Sequence, residues 1–109
     1  MMKNLQQAQI GKHTIGAGYP AFLVFEAGPT HTGVESAKSL AKAAKDSGAH
    51  AVKFQMTNPY RLVADRRQMF DYKVLTDRAS GAIEAVSEPL FDILKRRYLT
   101  HDQWAEVKS

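Results

Sequence analysis

The sequence contains no cysteine. A disulfide framework, a thiolate metal cluster and a thiol nucleophile are therefore excluded for this stretch of chain. The absence also fits a cytoplasmic protein, which is the location we expect.

Long apolar runs are missing as well. The longest covers residues 21–25, whereas a signal peptide needs about 7–15 apolar residues and a membrane-spanning helix about 20. The first residues also turn polar directly after Met2. We expect a soluble protein that is neither secreted nor inserted in a membrane.

Charge of either sign is modest: 15 Lys and Arg stand against 11 Asp and Glu, and the formal net charge is +4. The basic residues are scattered and form no run, which is typical of solubilising surface charge, so nucleic acid is not an expected partner. The hydrophobic share of 44% is ordinary for a globular chain, and 109 residues provide at most one small domain.

The first half of the chain reads as a hairpin followed by a strand–helix–strand unit. Gly11-Lys12, between Ile10 and Ile15, is suited to a tight turn. Residues 21–26 form a continuous apolar run that ends in Glu26, typical of a strand buried on both faces of a parallel sheet. Residues 49–55 read as the second strand of a βαβ unit.

A helix is predicted between these strands. Thr32 and Glu35 have the spacing of a capping box at its start, and Gly48 is suited to its end. One face carries the apolar stripe Val34, Ala37, Leu40, Ala41 and Ala44.

The second half shows less regular patterning. Residues 56–86 have no sustained period and predict a long covering loop, whose basic residues could close over an anionic substrate. Residues 88–98 predict a helix, and Thr100 with Gln103 predicts the capping box of another. The basic residues of the predicted loop are Arg61, Arg66, Arg67, Lys73 and Arg78.

The predicted fold class is α/β: a partial (β/α)8 TIM barrel that comprises the N-terminal hairpin, the first βαβ unit and the following helices. A complete barrel needs eight strand–helix units over roughly 250 residues. The prediction therefore requires further chain.

Three polar side chains fall at the carboxyl ends of the two predicted strands, where barrel enzymes carry their active sites: Glu26, Lys53 and Gln55. An ammonium beside a carboxylate and an amide suits an anionic, polyhydroxylated substrate. The alternative is a structural ion pair between Glu26 and Lys53, with Gln55 capping a loop. The spacing alone leaves both interpretations open.

Two motifs resemble those of the N-acetylneuraminate (sialic acid) synthases. Glu26-Ala27-Gly28-Pro29-Thr30-His31-Thr32-Gly33 is similar to the pattern Glu-x-Gly-x-Asn-His-x-Gly, and Lys53-Phe54-Gln55 is similar to the strand that follows it. Leu99-Thr100-His101-Asp102-Gln103-Trp104 resembles a segment before a later helix hairpin. Thr30 replaces the usual Asn, which bears on the sugar more than on the reaction class.

The resemblance implies that residues 1–109 are the N-terminal fragment of a TIM-barrel synthase domain, without the rest of the barrel and the C-terminal antifreeze-like domain. The complete enzyme would condense phosphoenolpyruvate with N-acetylmannosamine or a related acylated amino sugar, giving a nonulosonic acid and phosphate. Lys53 would bind phosphoenolpyruvate, Glu26 and Gln55 the sugar, and His31 is a secondary candidate. We expect the fragment itself to be inactive.

The resemblance also implies a homodimer and a divalent metal, manganese or magnesium, whose ligands lie outside this chain. His13, His50 and His101 lack paired metal-ligand spacing, so we assign no metal ligand here. Two alternatives stay open. Lys53 could be the Schiff-base lysine of a barrel aldolase, or the chain could be a small basic module that binds anionic partners.

Overall fold

The protein is described by a computed structural model that covers residues 6–109. The strands are β1 (Gln7–Ile10), β2 (His13–Gly16), β3 (Val24–Gly28), β4 (Ala51–Phe54), β5 (Met69–Asp77) and β6 (Ala82–Pro89). The helices are α1 (Val34–Asp46), α2 (Pro59–Leu62), α3 (Leu90–Lys95) and α4 (His101–Lys108). Within these residues the strands form three separate two-stranded sheets, β1–β2, β3–β4 and β5–β6.

The N-terminal hairpin is confirmed. β1 and β2 pair antiparallel, with Ile10 opposite His13 across the turn. Gly11 has a φ of 56°, which only glycine adopts without strain, and this explains the Gly-Lys turn.

The βαβ unit is also confirmed, because β3 and β4 pair in parallel and α1 connects them. Ala37 and Ala44 are buried on α1, as the apolar stripe predicts. The strands are displaced from the predicted bounds: β3 begins at Val24 rather than at residue 21, and β4 begins at Ala51.

Two details of this unit differ from the prediction. The N-cap of α1 is Gly33, without a side-chain cap bond; Ser36 Oγ instead accepts a hydrogen bond from the Thr32 N–H at 3.2 Å, so the predicted capping box is wrong. β3 is not buried on both faces, since Val24 and Phe25 are exposed. The cause is that, among the described residues, β3 has β4 as its single strand neighbour.

The predicted covering loop at residues 56–86 is wrong. This segment contains α2, all of β5 and much of β6. β5 and β6 pair with each other in a long antiparallel hairpin. β5 consists largely of aromatic, β-branched and other apolar residues with charges interspersed, a composition suited to a pleated ribbon. At the turn Asp77 accepts hydrogen bonds from the Ala79 N–H at 2.9 Å and the Ser80 hydroxyl at 2.8 Å.

The C-terminal helices partly match the prediction. α3 begins at Leu90 with Pro89 as its N-cap, so Glu88 and Pro89 belong to β6 and not to the predicted helix. The capping box of α4 is confirmed: Thr100 accepts from the Gln103 N–H at 3.2 Å, and Gln103 Oε1 accepts from the Thr100 N–H at 2.8 Å.

Few side chains form the core. The buried apolar residues of the described chain include Ala37, Ala44, Pro59, Phe91 and Leu99. The radius of gyration is 19.1 Å, against about 13 Å for a compact domain of this length. The chain is therefore extended and leaves much apolar surface in water. None of its described helices is long and apolar enough to cross a bilayer.

Candidate functional site

Glu26 and Lys53 are brought together by the parallel register, which places the two residues opposite each other on β3 and β4. Lys53 Nζ lies 3.2 Å from Glu26 Oε2, and the side chains are 65% and 49% exposed. Both groups are therefore in contact and open to solvent at the carboxyl end of the sheet. This geometry agrees with both interpretations: the two side chains form an ion pair, and a substrate can reach that pair from solvent.

The backbone beyond the pair is shaped by a register shift between Glu26 and Gly28. Gly28 has a φ of 56°, which turns the chain away from β3. Thr30 then closes the turn, its hydroxyl donating to the Ala27 carbonyl at 2.8 Å.

Gln55 lies one residue past β4 and is exposed. Its N–H donates to the Gly28 carbonyl at 3.3 Å, which extends the parallel pairing by one step. Its backbone is thereby fixed beside the turn that follows Glu26, while its amide is open to solvent.

A shallow cavity of about 220 Å³ borders Glu26 between the sheet and α1. Cavities that enclose a small molecule typically measure about 300–1,000 Å³. The described residues around Glu26 thus form one wall of a site rather than an enclosed pocket.

A larger cavity of about 410 Å³ lies at the opposite end of the same sheet, bordered by Lys12, His13 and His50 among others. His50 Nδ1 accepts the Leu23 N–H at 2.9 Å, so in this geometry the ring carries no proton on Nδ1. We do not place the candidate site here, because ligands of parallel α/β sheets bind at the carboxyl ends of the strands.

His31 lies apart from the charged pair. It is fully buried, and its ring packs edge to face against Trp104 at 5.2 Å and Phe54 at 6.3 Å between centroids. Neither ring nitrogen has a hydrogen-bond partner among residues 6–109. Burial lowers the pKa of His31, and the positive charge of Arg97 lowers it further. This placement favours a packing role over contact with a substrate.

Two of the four arginines of the predicted loop, Arg66 and Arg67, make contacts within the described chain. The Arg66 guanidinium lies over the rings of Phe91 and Tyr60, at 4.5 Å and 5.3 Å from their centroids. Arg67 forms an ion pair with Asp65 at 3.1 Å. These contacts are with Tyr60, Phe91 and Asp65 and do not place either arginine at the Glu26–Lys53 pair.

The sequence analysis missed a polar network at the base of the β5–β6 hairpin. Arg96 donates to both carboxylate oxygens of Glu88, at 2.9 and 2.7 Å, and the Tyr72 hydroxyl donates to the same carboxylate. These bonds lower the pKa of Glu88 to about 2, with Arg96 as the largest cause. Recognition of β5 by its alternating pattern would have placed Tyr72 beside Glu88.

The described residues contain no group of three or more histidine, aspartate or glutamate side chains arranged to hold a metal ion. The Glu26 carboxylate is paired with Lys53 instead. The donor set of this part of the chain therefore does not fit a divalent metal.

The fold and site define a parallel βαβ unit with a charged pair at its carboxyl end, and comparison with known proteins adds two relatives. The chain is 44% identical over 55 residues to the spore coat polysaccharide biosynthesis protein SpsE of Bacillus subtilis, and this stretch is 50% of the chain. It is 31% identical over 68 residues, 62% of the chain, to the uncharacterized protein MJ1065 of Methanocaldococcus jannaschii.

The matched stretches span 15% of SpsE and 20% of MJ1065. No family model matches the chain, and no solved structure matches it. The similarity to SpsE gives partial support to the synthase resemblance, over a short local stretch.

Proposed function

We propose that this chain contributes the first part of the active site of a carbohydrate-biosynthetic synthase, which condenses phosphoenolpyruvate with an acylated amino sugar such as N-acetylmannosamine. The observation that carries the proposal is the 3.2 Å approach of Lys53 and Glu26 at the carboxyl ends of neighbouring parallel strands. The similarity to a polysaccharide biosynthesis protein supports it.

In this proposal Lys53 binds phosphoenolpyruvate. Its ammonium is exposed, and an exposed ion pair contributes little to stability, so a phosphate or carboxylate group can take over part of its interaction with Glu26. The Glu26 carboxylate then accepts hydrogen bonds from the sugar hydroxyls, and the Gln55 amide donates or accepts them. The products are a nonulosonic acid and phosphate.

The same proposal extends to the fold and its setting. The βαβ unit would be the first of a (β/α)8 barrel, in a cytoplasmic enzyme that forms a homodimer. The extended shape and the exposed strand β3 support this, because neighbouring strands would cover the apolar side chains Val24 and Phe25.

A divalent metal, manganese or magnesium, would supply Lewis-acid polarisation of the sugar aldehyde in the complete enzyme. The donors described above do not fit such an ion, so we derive no step of the reaction through it and assign it no ligand among Glu26, His31 and Gln55.

The Schiff-base aldolase is less well supported. An imine-forming lysine must be desolvated so that it is neutral often enough to attack a carbonyl. Lys53 is instead 65% exposed and lies 3.2 Å from the Glu26 carboxylate.

The basic binding module is also less well supported. Its lysines would have to form a surface of one charge sign, yet acidic side chains are interspersed among them: Lys38 pairs with Glu106 at 3.3 Å, and Lys42 pairs with Asp46 on the same helix. This surface is therefore mixed in charge and suits an extended anionic partner less well.

The test is a phosphate-release assay on the polypeptide encoded by the uninterrupted reading frame that contains these residues. We expect release from phosphoenolpyruvate that requires N-acetylmannosamine or a related acylated sugar, and that is lost in Lys53→Ala. Borohydride trapping with a carbonyl substrate is the companion experiment. A trapped imine at Lys53 without phosphate release would replace the proposal with the aldolase.

A further inference from the structure

We propose that β5 is an interface strand that pairs antiparallel with β5 of a second copy of this chain, to give a continuous four-stranded sheet in the order β6–β5–β5–β6. In the described structure β5 pairs with β6 alone, so its other edge presents unpaired N–H and C=O groups. Such an edge is a template for strand addition. The proposed function includes a homodimer but names no surface for it; this proposal names the surface, and its test does not depend on catalysis.

The sequence of β5 is self-complementary about Tyr72. Residues 69–75 read Met-Phe-Asp-Tyr-Lys-Val-Leu, with two apolar residues at each end and opposite charges on either side of the tyrosine. A two-fold axis at Tyr72 therefore places Met69 opposite Leu75, and Asp71 opposite Lys73, each pair occurring twice. An isologous interface needs this kind of self-complementarity.

The charges specify the register. Residues that face each other on two paired strands lie on the same side of the sheet, so the two copies can shift past each other only by two residues at a time. The nearest alternative registers therefore have their two-fold axis at Asp71 or at Lys73. The first sets Asp71 against its own copy and the second sets Lys73 against its own copy, and like charges directly opposite are destabilising. The register about Tyr72 instead satisfies both charges.

Both charges lack an ion pair within the described chain. Asp71 accepts a hydrogen bond from the Ser87 hydroxyl at 2.6 Å, and neither it nor Lys73 forms a salt bridge among residues 6–109. A second copy would give each of them a partner of opposite sign.

The apolar side chains fall into rows in the same register. Met69 faces Pro89 and Leu75 faces Ile83 within the hairpin, and the pairing would join these into the row Pro89, Met69, Leu75, Ile83 across the two copies. Met69, Leu75 and Ile83 are 52%, 57% and 63% exposed, so this surface is open to water in the single chain. Side-by-side packing of the rows would remove part of it from solvent.

The opposite edge of the hairpin is less suited to pairing. β6 ends in Pro89, which has no N–H to donate, and a two-fold axis at Val86 would set Glu84 against Glu88. The difference between the two edges favours a closed dimer through β5 over an open chain of copies.

Sedimentation velocity on the 109-residue chain tests this with charge reversals. The variants Asp71→Lys and Lys73→Asp each place like charges opposite one another, and we expect the dissociation constant to rise roughly tenfold or more. An equimolar mixture of the two variants should dimerise again, and so should the double variant Asp71→Lys with Lys73→Asp. Glu84→Lys on β6 is the control with a charge change on the neighbouring strand.

A disulfide reports the register directly, because the chain has no cysteine of its own. Tyr72→Cys should form a cross-linked dimer under mild oxidation, whereas Thr76→Cys, four residues from the two-fold axis, should not. A wild-type chain that sediments as a monomer at every concentration overturns the proposal. So does a dimer that neither charge reversal weakens, or one in which Thr76→Cys cross-links as readily as Tyr72→Cys.

Discussion

His31 and Trp104 pack edge to face, with ring centroids 5.2 Å apart and ring planes inclined at 80°. Phe54 completes the cluster, at 5.4 Å from Trp104. The contact joins the turn after β3, the end of β4 and α4, so a residue of the synthase-like motif holds the C-terminal helix against the βαβ unit.

The burial of His31 predicts a pH dependence of stability. In the unfolded chain the histidine takes up a proton near its ordinary pKa of 6.5, whereas its pKa in the folded chain is lower. The unfolded state therefore binds more protons as the pH falls below about 6.5. Stability is therefore lost from that point downward until the folded pKa is passed. Unfolding of the chain, followed by the fluorescence of its single tryptophan, should show this loss.

His31→Leu should flatten that dependence, because an apolar side chain does not titrate. His101→Gln, at an exposed histidine, is the matched control and should keep the wild-type slope. An unchanged slope in His31→Leu would show that the buried histidine is not its source.

The network around Glu88 predicts a second loss of stability at lower pH. The pKa of Glu88 falls from 4.5 to about 2 in the folded chain. Its stabilising contribution is thus complete above about pH 4.5 and is lost as the pH falls through 2. Glu88→Gln should remove this part of the acid unfolding profile, while Glu84→Gln on the same strand should leave it unchanged.

The helix caps predict that alanine substitution lowers the unfolding free energy at one threonine and leaves it nearly unchanged at another. Thr100→Ala removes the side-chain half of the capping box of α4 and should cost about 1 kcal/mol of unfolding free energy. Thr32→Ala should change it by less than about 0.5 kcal/mol, because Gly33 caps α1 without a side-chain bond. Urea unfolding of both variants measures the difference, and equal losses would contradict the assigned caps.

The small core predicts a large effect at Leu99, which is 7% exposed. Leu99→Ala should cost about 2–5 kcal/mol and leave the chain largely unfolded. Leu62→Ala, at a leucine that is 61% exposed, should change stability by no more than about 0.5 kcal/mol. Thermal unfolding followed by circular dichroism compares the two.

The elements that the sequence predicts best are those whose signal is local. The turn at Gly11 and the capping box at Thr100 depend on residues a few positions apart, and both are confirmed. The parallel pairing of β3 and β4 also follows from the pattern, because a strand, a helix and a strand in close succession leave few other arrangements.

The β5–β6 hairpin was missed for a physical reason. In β5 Phe70, Tyr72 and Val74 alternate with Asp71 and Lys73 over five residues, whereas in β6 Glu84 and Glu88 share a face with Val86. A search for one sustained period over residues 56–86 therefore overlooks the short alternation of β5, although the register between the strands is continuous from Met69 to Leu75.

The candidate site was predictable only in part. Alternation along the strands indicates that Glu26 and Lys53 share a region, and the register places them opposite each other. The spacing leaves open whether the two side chains pair, as they do at 3.2 Å, and it gives no sign that His31 turns inward against Trp104. Those outcomes depend on tertiary contacts that no local spacing encodes.

The most direct test of the proposed function compares Lys53→Met and Glu26→Gln in the phosphate-release assay, with the concentrations of phosphoenolpyruvate and sugar varied separately. We expect Lys53→Met to raise the KM for phosphoenolpyruvate at least tenfold, about 1.4 kcal/mol of binding, and Glu26→Gln to raise the KM for the sugar. Two variants that unfold more readily yet keep both KM values would contradict it, because Glu26 and Lys53 would then be a structural ion pair alone.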